Sequence, residues 1–204
     1  MLPMTDEVKG IVAELATFAI GRKRAICELE QDFIDVPPVV VAVTGDTLTA
    51  GESPMMDGET APNYVRRICQ EMFRCDMRRF DYVAAVVDSF VRFYDRDDVA
   101  LVVDNPPAQG ELATAYASDP FSEVLEGFTI LVVGATGDYL DAFIQYKRDD
   151  SGMPYVADDT SVVVSETIRG CGTDTTLEVL TEFVMNCRLS ARELPPSSGE
   201  PTVG

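Results

Sequence analysis

Phe128-Thr129-Ile130-Leu131-Val132-Val133, then Gly134-Ala135-Thr136-Gly137-Asp138, then the run 139–148, is the stretch that decides the fold. Two strand-length runs rich in β-branched and aromatic residues flank a turn with two glycines, which is the pattern of a β-hairpin. Along the second run Leu140, Ala142, Ile144 and Tyr146 share one face, and Asp141, Phe143, Gln145 and Lys147 share the other. The alternation predicts one buried face and one solvated face. A turn at 149–152 then leads to two further short strands, at 153–157 and 161–165.

Working back from the hairpin, Val83-Ala84-Ala85-Val86-Val87 and Val39-Val40-Val41-Ala42-Val43 are continuous apolar runs. Such runs suit strands covered on both faces. Between them lie a polar stretch, 44–59, and a helix from about Thr60 or Asn63 to Arg79, with Pro62 in its first turn. Val65, Ile68, Cys69, Met72 and Cys75 form its inner stripe. The order strand, loop, helix, strand over 39–93 predicts a βαβ-like unit with a parallel crossover. A first helix spans 5–31, with Thr5 as N-cap and Asp6 and Glu7 at the positive end of its dipole. Val8, Ile11, Val12, Leu15, Ala19, Ile26 and Leu29 make its stripe, and Gly10 and Gly21 weaken it, with a break expected near Gly21. Pro37-Pro38 ends any continuation. A last helix covers about 175–192, capped by Thr173 or Asp174, with Leu177, Leu180, Val184 and Cys187 inward. A short strand at 99–103 and a turn at Ser118-Asp119-Pro120 are expected in between. The class is therefore α+β: one domain, 1–194, with a mixed, mostly antiparallel sheet and about three helices. The Pro/Ser/Gly tail, 195–204, is expected to be disordered.

Composition narrows the chemistry. The 204 residues are 46% hydrophobic, enough for one sizeable core. Sixteen basic residues against 35 acidic give a net charge of −19. Such a field repels nucleic acid and anionic lipid, and favours a basic protein partner. No run approaches a membrane span, and the start of the chain has no leader-like pattern, so the cytoplasm is the expected location. There is no histidine. That excludes Ser-His and Cys-His nucleophiles and His-ligated metals. The five cysteines, Cys27, Cys69, Cys75, Cys171 and Cys187, show no Cys-x-x-Cys spacing and read as buried hydrophobes. No cofactor or metal site is implied.

Two stretches carry candidate sites. The polar stretch after the first strand, from Thr44 to Ser53, offers Thr44, Asp46 and Thr47, with Asp88 on the neighbouring strand as a fourth ligand-binding group. Loops between a strand and a helix N-terminus often hold ligands in α/β units. The second helix is the one basic element. Arg66, Arg67, Arg74, Arg78 and Arg79 stand against Glu71 and Asp76, and Glu71 can pair with Arg67 and Arg74 at helical spacing. Arg67, Arg74 and Arg78 mark an anion-binding or self-association face. Asp95, Asp97 and Asp98 lack the glycine and terminal glutamate of a calcium loop. Gln145-Tyr146-Lys147 after Asp138 has the outline of a metal-nuclease strand, with glutamine where the carboxylate belongs. Gly170-Cys171-Gly172 places one thiol before a helix, with no histidine to serve it as base.

Val83-Ala84-Ala85-Val86-Val87-Asp88-Ser89-Phe90, together with Asp119-Pro120, Glu123-Val124 and the strand at Phe128, resembles segments of uncharacterised small α+β proteins of actinobacteria and their phages. Asp88 and Phe90 stand where that pattern has glutamate and tryptophan. The resemblance covers residues 39–148 and implies no activity and no catalytic residue. It implies a phage or actinobacterial origin. The expected function is a non-enzymatic binding or regulatory protein acting on another protein. The alternatives are a small-ligand binder or metal-dependent hydrolase using 44–53, an acidic mimic of DNA, and a homo-oligomeric component.

Overall fold

The computed structural model describes residues 2–3, 5–30, 36–75, 79–92, 124–157, 162–164 and 173–193. The expected strand at 99–103, the turn at Ser118-Asp119-Pro120, Asp95, Asp97, Asp98, Arg78, Cys171 and the tail 195–204 lie outside the described residues.

Helix α1 runs Asp6–Glu30. The Thr5 hydroxyl accepts from the Val8 N–H at 3.3 Å, which satisfies one of the orphan donors of the first turn. The helix passes through Gly21 without a break. Val8, Val12, Leu15, Ala19, Lys23 and Cys27 are buried, a stripe spaced by three and four residues. Leu29, expected on that stripe, is 82% exposed. The stripe drifts with the 3.6-residue period and reaches Lys23 and Cys27 instead.

Strands β1 (Val39–Thr44), β2 (Thr47–Gly51), β3 (Tyr82–Arg92), β4 (Val124–Gly134), β5 (Tyr139–Gln145) and β8 (Val162–Val164) form one sheet in the order β2-β1-β3-β4-β5-β8. The two-residue strands β6 (Lys147–Arg148) and β7 (Pro154–Tyr155) form a separate ribbon. Helix α2 is Ala61–Arg74 and helix α3 is Thr173–Glu193. The protein is thus α+β with three helices among the described residues.

Every described strand pair is antiparallel. This corrects the expected parallel crossover over 39–93. The polar stretch after β1 is not a loop throughout. It turns back at Gly45-Asp46 and pairs as β2, with Thr44 opposite Thr47. Gly45 has φ +54°, the left-handed value that a two-residue hairpin turn requires. The chain therefore enters α2 from the opposite end of the sheet. Strands β2 and β3 both oppose β1, so they run parallel to each other with β1 between them.

Strand alternation sorts the core into two halves. Val39, Val41, Val43, Ala84, Val86, Phe128, Ile130, Val132, Leu140 and Ala142 face α1. Val40, Ala42, Val83, Ala85, Leu131 and Val133 face α2 and α3. The expected solvated face of the second hairpin strand is covered too: Asp141 and Phe143 are buried. Gly127 permits this, since a Cβ there would stand 2.4 Å from the Phe143 ring and 2.5 Å from the Ile144 carbonyl oxygen.

Gly10 and Gly21 are exposed, and a Cβ at either meets nothing within 4 Å. Replacing each with alanine is expected to stabilise the protein by about 1 kcal/mol in urea denaturation. Gly127→Ala is expected to lose about 1–3 kcal/mol by overpacking. A neutral Gly127→Ala would show that the ring of Phe143 is free to move aside.

Candidate functional site

The four ligand-binding candidates do not meet. Thr44, Asp46 and Thr47 are exposed at the tip of the β1–β2 hairpin. The Gly45 N–H there donates to Asp81 Oδ2 at 2.7 Å, and Thr44 Oγ1 donates to the Arg79 carbonyl at 3.3 Å. Asp88 lies six positions along β3 from Tyr82, the partner of Val43. That puts it about 20 Å from the hairpin end of the sheet. The separation follows from antiparallel pairing, which carries β3 away from the tip as it leaves Tyr82.

Asp88 belongs to a buried polar cluster under α1. Its Oδ2 pairs with Lys23 Nζ and accepts from the Val36 N–H at 3.2 Å. Its Oδ1 accepts from the Tyr146 hydroxyl at 3.0 Å. The Lys23 ammonium also lies 4.8 Å from the centroid of the Tyr146 ring. Side-chain exposure is 2% for Lys23 and 4% for Asp88, so the pair is withdrawn from solvent and from any ligand. Burial first, then the Asp88 carboxylate, raises the Tyr146 hydroxyl pKa far above the ordinary tyrosine range, so it remains a donor. Lys23 is the residue that sequence reasoning missed. Its place on the helical stripe was the available signal, and its charge concealed it.

The basic helix divides into two roles. Arg67 faces the segment before α2. Its Nη2 donates to Glu59 Oε2 at 2.8 Å and to the Pro54 carbonyl at 3.0 Å, and its guanidinium lies 5.1 Å from the Tyr64 ring centroid. Glu71 pairs with it at 3.7 Å. The buried Tyr64 hydroxyl donates to the Ser53 carbonyl and accepts from the Ser53 N–H. Arg67 and Tyr64 thus hold the 52–60 segment, and Arg67 is not offered to a partner. The guanidinium of Arg67, then the Met56 N–H, lowers the Glu59 pKa from 4.5 to about 2.

Arg66 and Arg74 are exposed, and neither forms a hydrogen bond or ion pair with the described residues. Both line a cleft of about 500 Å³ between α2 and α3. Cys69, Phe73, Val179 and Phe183 supply apolar surface in it, and Glu182 and Leu189 complete the α3 side. The cleft follows from helical spacing: Arg66, Gln70, Phe73 and Arg74 on α2, and Val179, Glu182, Phe183 and Asn186 on α3, recur at three and four residues. Sequence reasoning marked Arg74 on this face, but the α3 wall was not visible without the tertiary structure. Burial, with Cys187 second, pushes the Cys69 thiol up to about 12, which makes it a poor nucleophile at neutral pH. Among the described residues no three acidic or thiol side chains converge as metal ligands. No described helix is long and apolar enough to cross a membrane.

No known protein family, curated protein or solved structure matches this chain.

Two measurements check the electrostatics. Lys23→Met and Asp88→Asn are each expected to destabilise the fold by about 3–5 kcal/mol, because each leaves a buried charge unpaired. The double variant should lose less than the sum by at least about 1 kcal/mol; strict additivity in urea melts would refute the pairing. For Glu59, a depressed folded pKa contributes stability that is complete above 4.5 and is lost as pH falls through about 2. Carboxyl NMR titration should find a midpoint near 2 in the native chain and a return toward 4.5 in Arg67→Gln.

Proposed function

We propose that the chain is a non-catalytic binding or regulatory protein that acts by engaging a protein partner through the cleft between α2 and α3. One observation carries this reading. In a chain of net charge −19, two exposed arginines without described carboxylate partners line a cleft to which Cys69, Phe73, Val179, Phe183 and Leu189 give apolar surface. A surface of apolar centre and charged rim is the usual anatomy of a protein contact. Arginine and aromatic side chains are the groups most often decisive there. Arg66 and Arg74 are eight residues apart, so the rim runs about 12 Å along α2, the scale of a helix or loop from a partner.

The overall charge favours a basic partner, but the α2 rim favours carboxylates on the group that enters it. Cys27, Cys69 and Cys75 are free thiols, which supports a reducing cytoplasm as the place of action. A second reading, a small apolar carboxylate as ligand, draws on the cleft volume of about 500 Å³, a size common among small-molecule sites. The ligand role assigned to the 44–53 stretch would then pass to this cleft.

A photo-crosslinking side chain at Gln70, on the cleft, is compared in source-cell lysate with one at Glu14, on the outer surface of α1. A discrete protein adduct from position 70, absent from position 14 and lost on Arg66→Glu with Arg74→Glu, is the expected result. Equal labelling from both positions, or labelling indifferent to the arginines, would sink the reading.

A further inference from the structure

The cleft carries charge of both signs. Helix α2 holds Arg66, Arg67 and Arg74 against Glu71, a net +2. Helix α3 holds Asp174, Glu178, Glu182 and Glu193 against Arg188 and Arg192, a net −2. Together the two helices are neutral, in a chain whose total is −19. Glu178 and Glu182 are exposed, and neither forms an ion pair with the described residues. Arg66, Arg74 and Glu182 line one cleft, yet no pair of them comes within ion-pair distance inside the chain. Between the stripes lie the half-buried Phe73 and Leu189, which is 55% exposed.

A basic stripe beside an acidic stripe is a self-complementary arrangement. In a two-fold contact the same patch serves both subunits, so if residue i meets residue j, then j meets i. A two-fold axis through the α2/α3 face sets α2 of one copy against α3 of the next. Arg66 and Arg74 then meet the partner's acidic stripe, and each copy's own acidic stripe meets the partner's arginines. Leu189 of each copy stands over the apolar surface of the other. We infer that the α2/α3 face is a homodimer interface, with a second copy of this chain as its occupant. The inference rests on the reading of this cleft as a protein-binding surface and names the partner.

The charge balance argues for a second copy over an acidic segment of another protein. A purely acidic segment would satisfy Arg66 and Arg74 but would bring like charge against Glu178 and Glu182. A second copy satisfies both stripes at once. Two chains of −19 repel each other over most of their surface, and a neutral face is where they approach at least electrostatic cost. Charge opposition at an interface fixes register and excludes wrong partners as much as it adds affinity.

Sedimentation equilibrium of the full chain over a concentration series tests this. The expected mass is twice the 22.3 kDa of one chain at the upper concentrations. Arg74→Glu alone and Glu182→Arg alone should each weaken dimerisation by about tenfold or more, and the double exchange should restore it to near the starting value. Leu189→Asp, at an exposed site, should give a folded single chain by circular dichroism. A single-chain mass at every concentration overturns the inference, and so do single reversals that leave the dimer intact. If the chain sediments alone while the position-70 crosslink traps a different protein, the dimer is refuted and the binding cleft stands. If it sediments alone and traps nothing, both fall.

Discussion

The ladder between β3 and β4 is the constraint from which the rest follows. Eleven residue pairs, from Tyr82 opposite Gly134 to Arg92 opposite Val124, join the two central strands of the sheet. A strand sends successive side chains to opposite faces, so this register decides at one stroke which residues meet α1 and which meet α2 and α3. A slip of one position would exchange the two halves of the core. It would also carry Asp88 away from Lys23. The buried pair therefore acts as a check on register, because a misaligned sheet leaves an unpaired charge in an apolar setting.

The two faces of the sheet do different work. Under α1 the contacts are closed. The polar cluster at Asp88 is enclosed by Lys23, the Val36 amide and Tyr146, and the Tyr146 ring lies 5.1 Å from that of Phe128. Arg148 adds a pair with Glu126 at 2.9 Å beside the same tyrosine. Across the sheet, α2 and α3 complete the other half of the core and still leave a cleft between them. One face is built for persistence and the other keeps unspent contacts.

Much of the fold was legible. Thr5 as a cap, the apolar runs at 39–43 and 83–87, the glycine turn at 134–138 and the two later helices all stand where local chemistry puts them. The strand β2 was not legible: Thr47-Leu48-Thr49-Ala50 alternates polar and apolar residues, but the run is short, ends in Gly51 and buries no face. Its pairing is fixed by the two-residue turn, and missing it reversed the inferred direction of β3. The site was less legible than the fold. Asp88 could be seen as unusual on an apolar strand, but its partner is 65 positions away in the chain. Arg67 and Arg74 look alike on the helix; only the 52–60 segment, folded back over one of them, distinguishes a structural arginine from an available one.

Strand β2 has a consequence for how the protein behaves in acid. It forms an outer rim of the sheet, exposed along Thr47 to Ala50, without charge or proline in the strand itself. Such rims invite other chains to add on as further strands. What opposes addition at this rim near neutrality is mutual repulsion, and that repulsion vanishes as the solution approaches pI 4.2. Mild acidification thus removes the colloidal barrier before it reaches the ion pair between Glu59 and Arg67, so association through this rim is expected at a pH where that ion pair still stands.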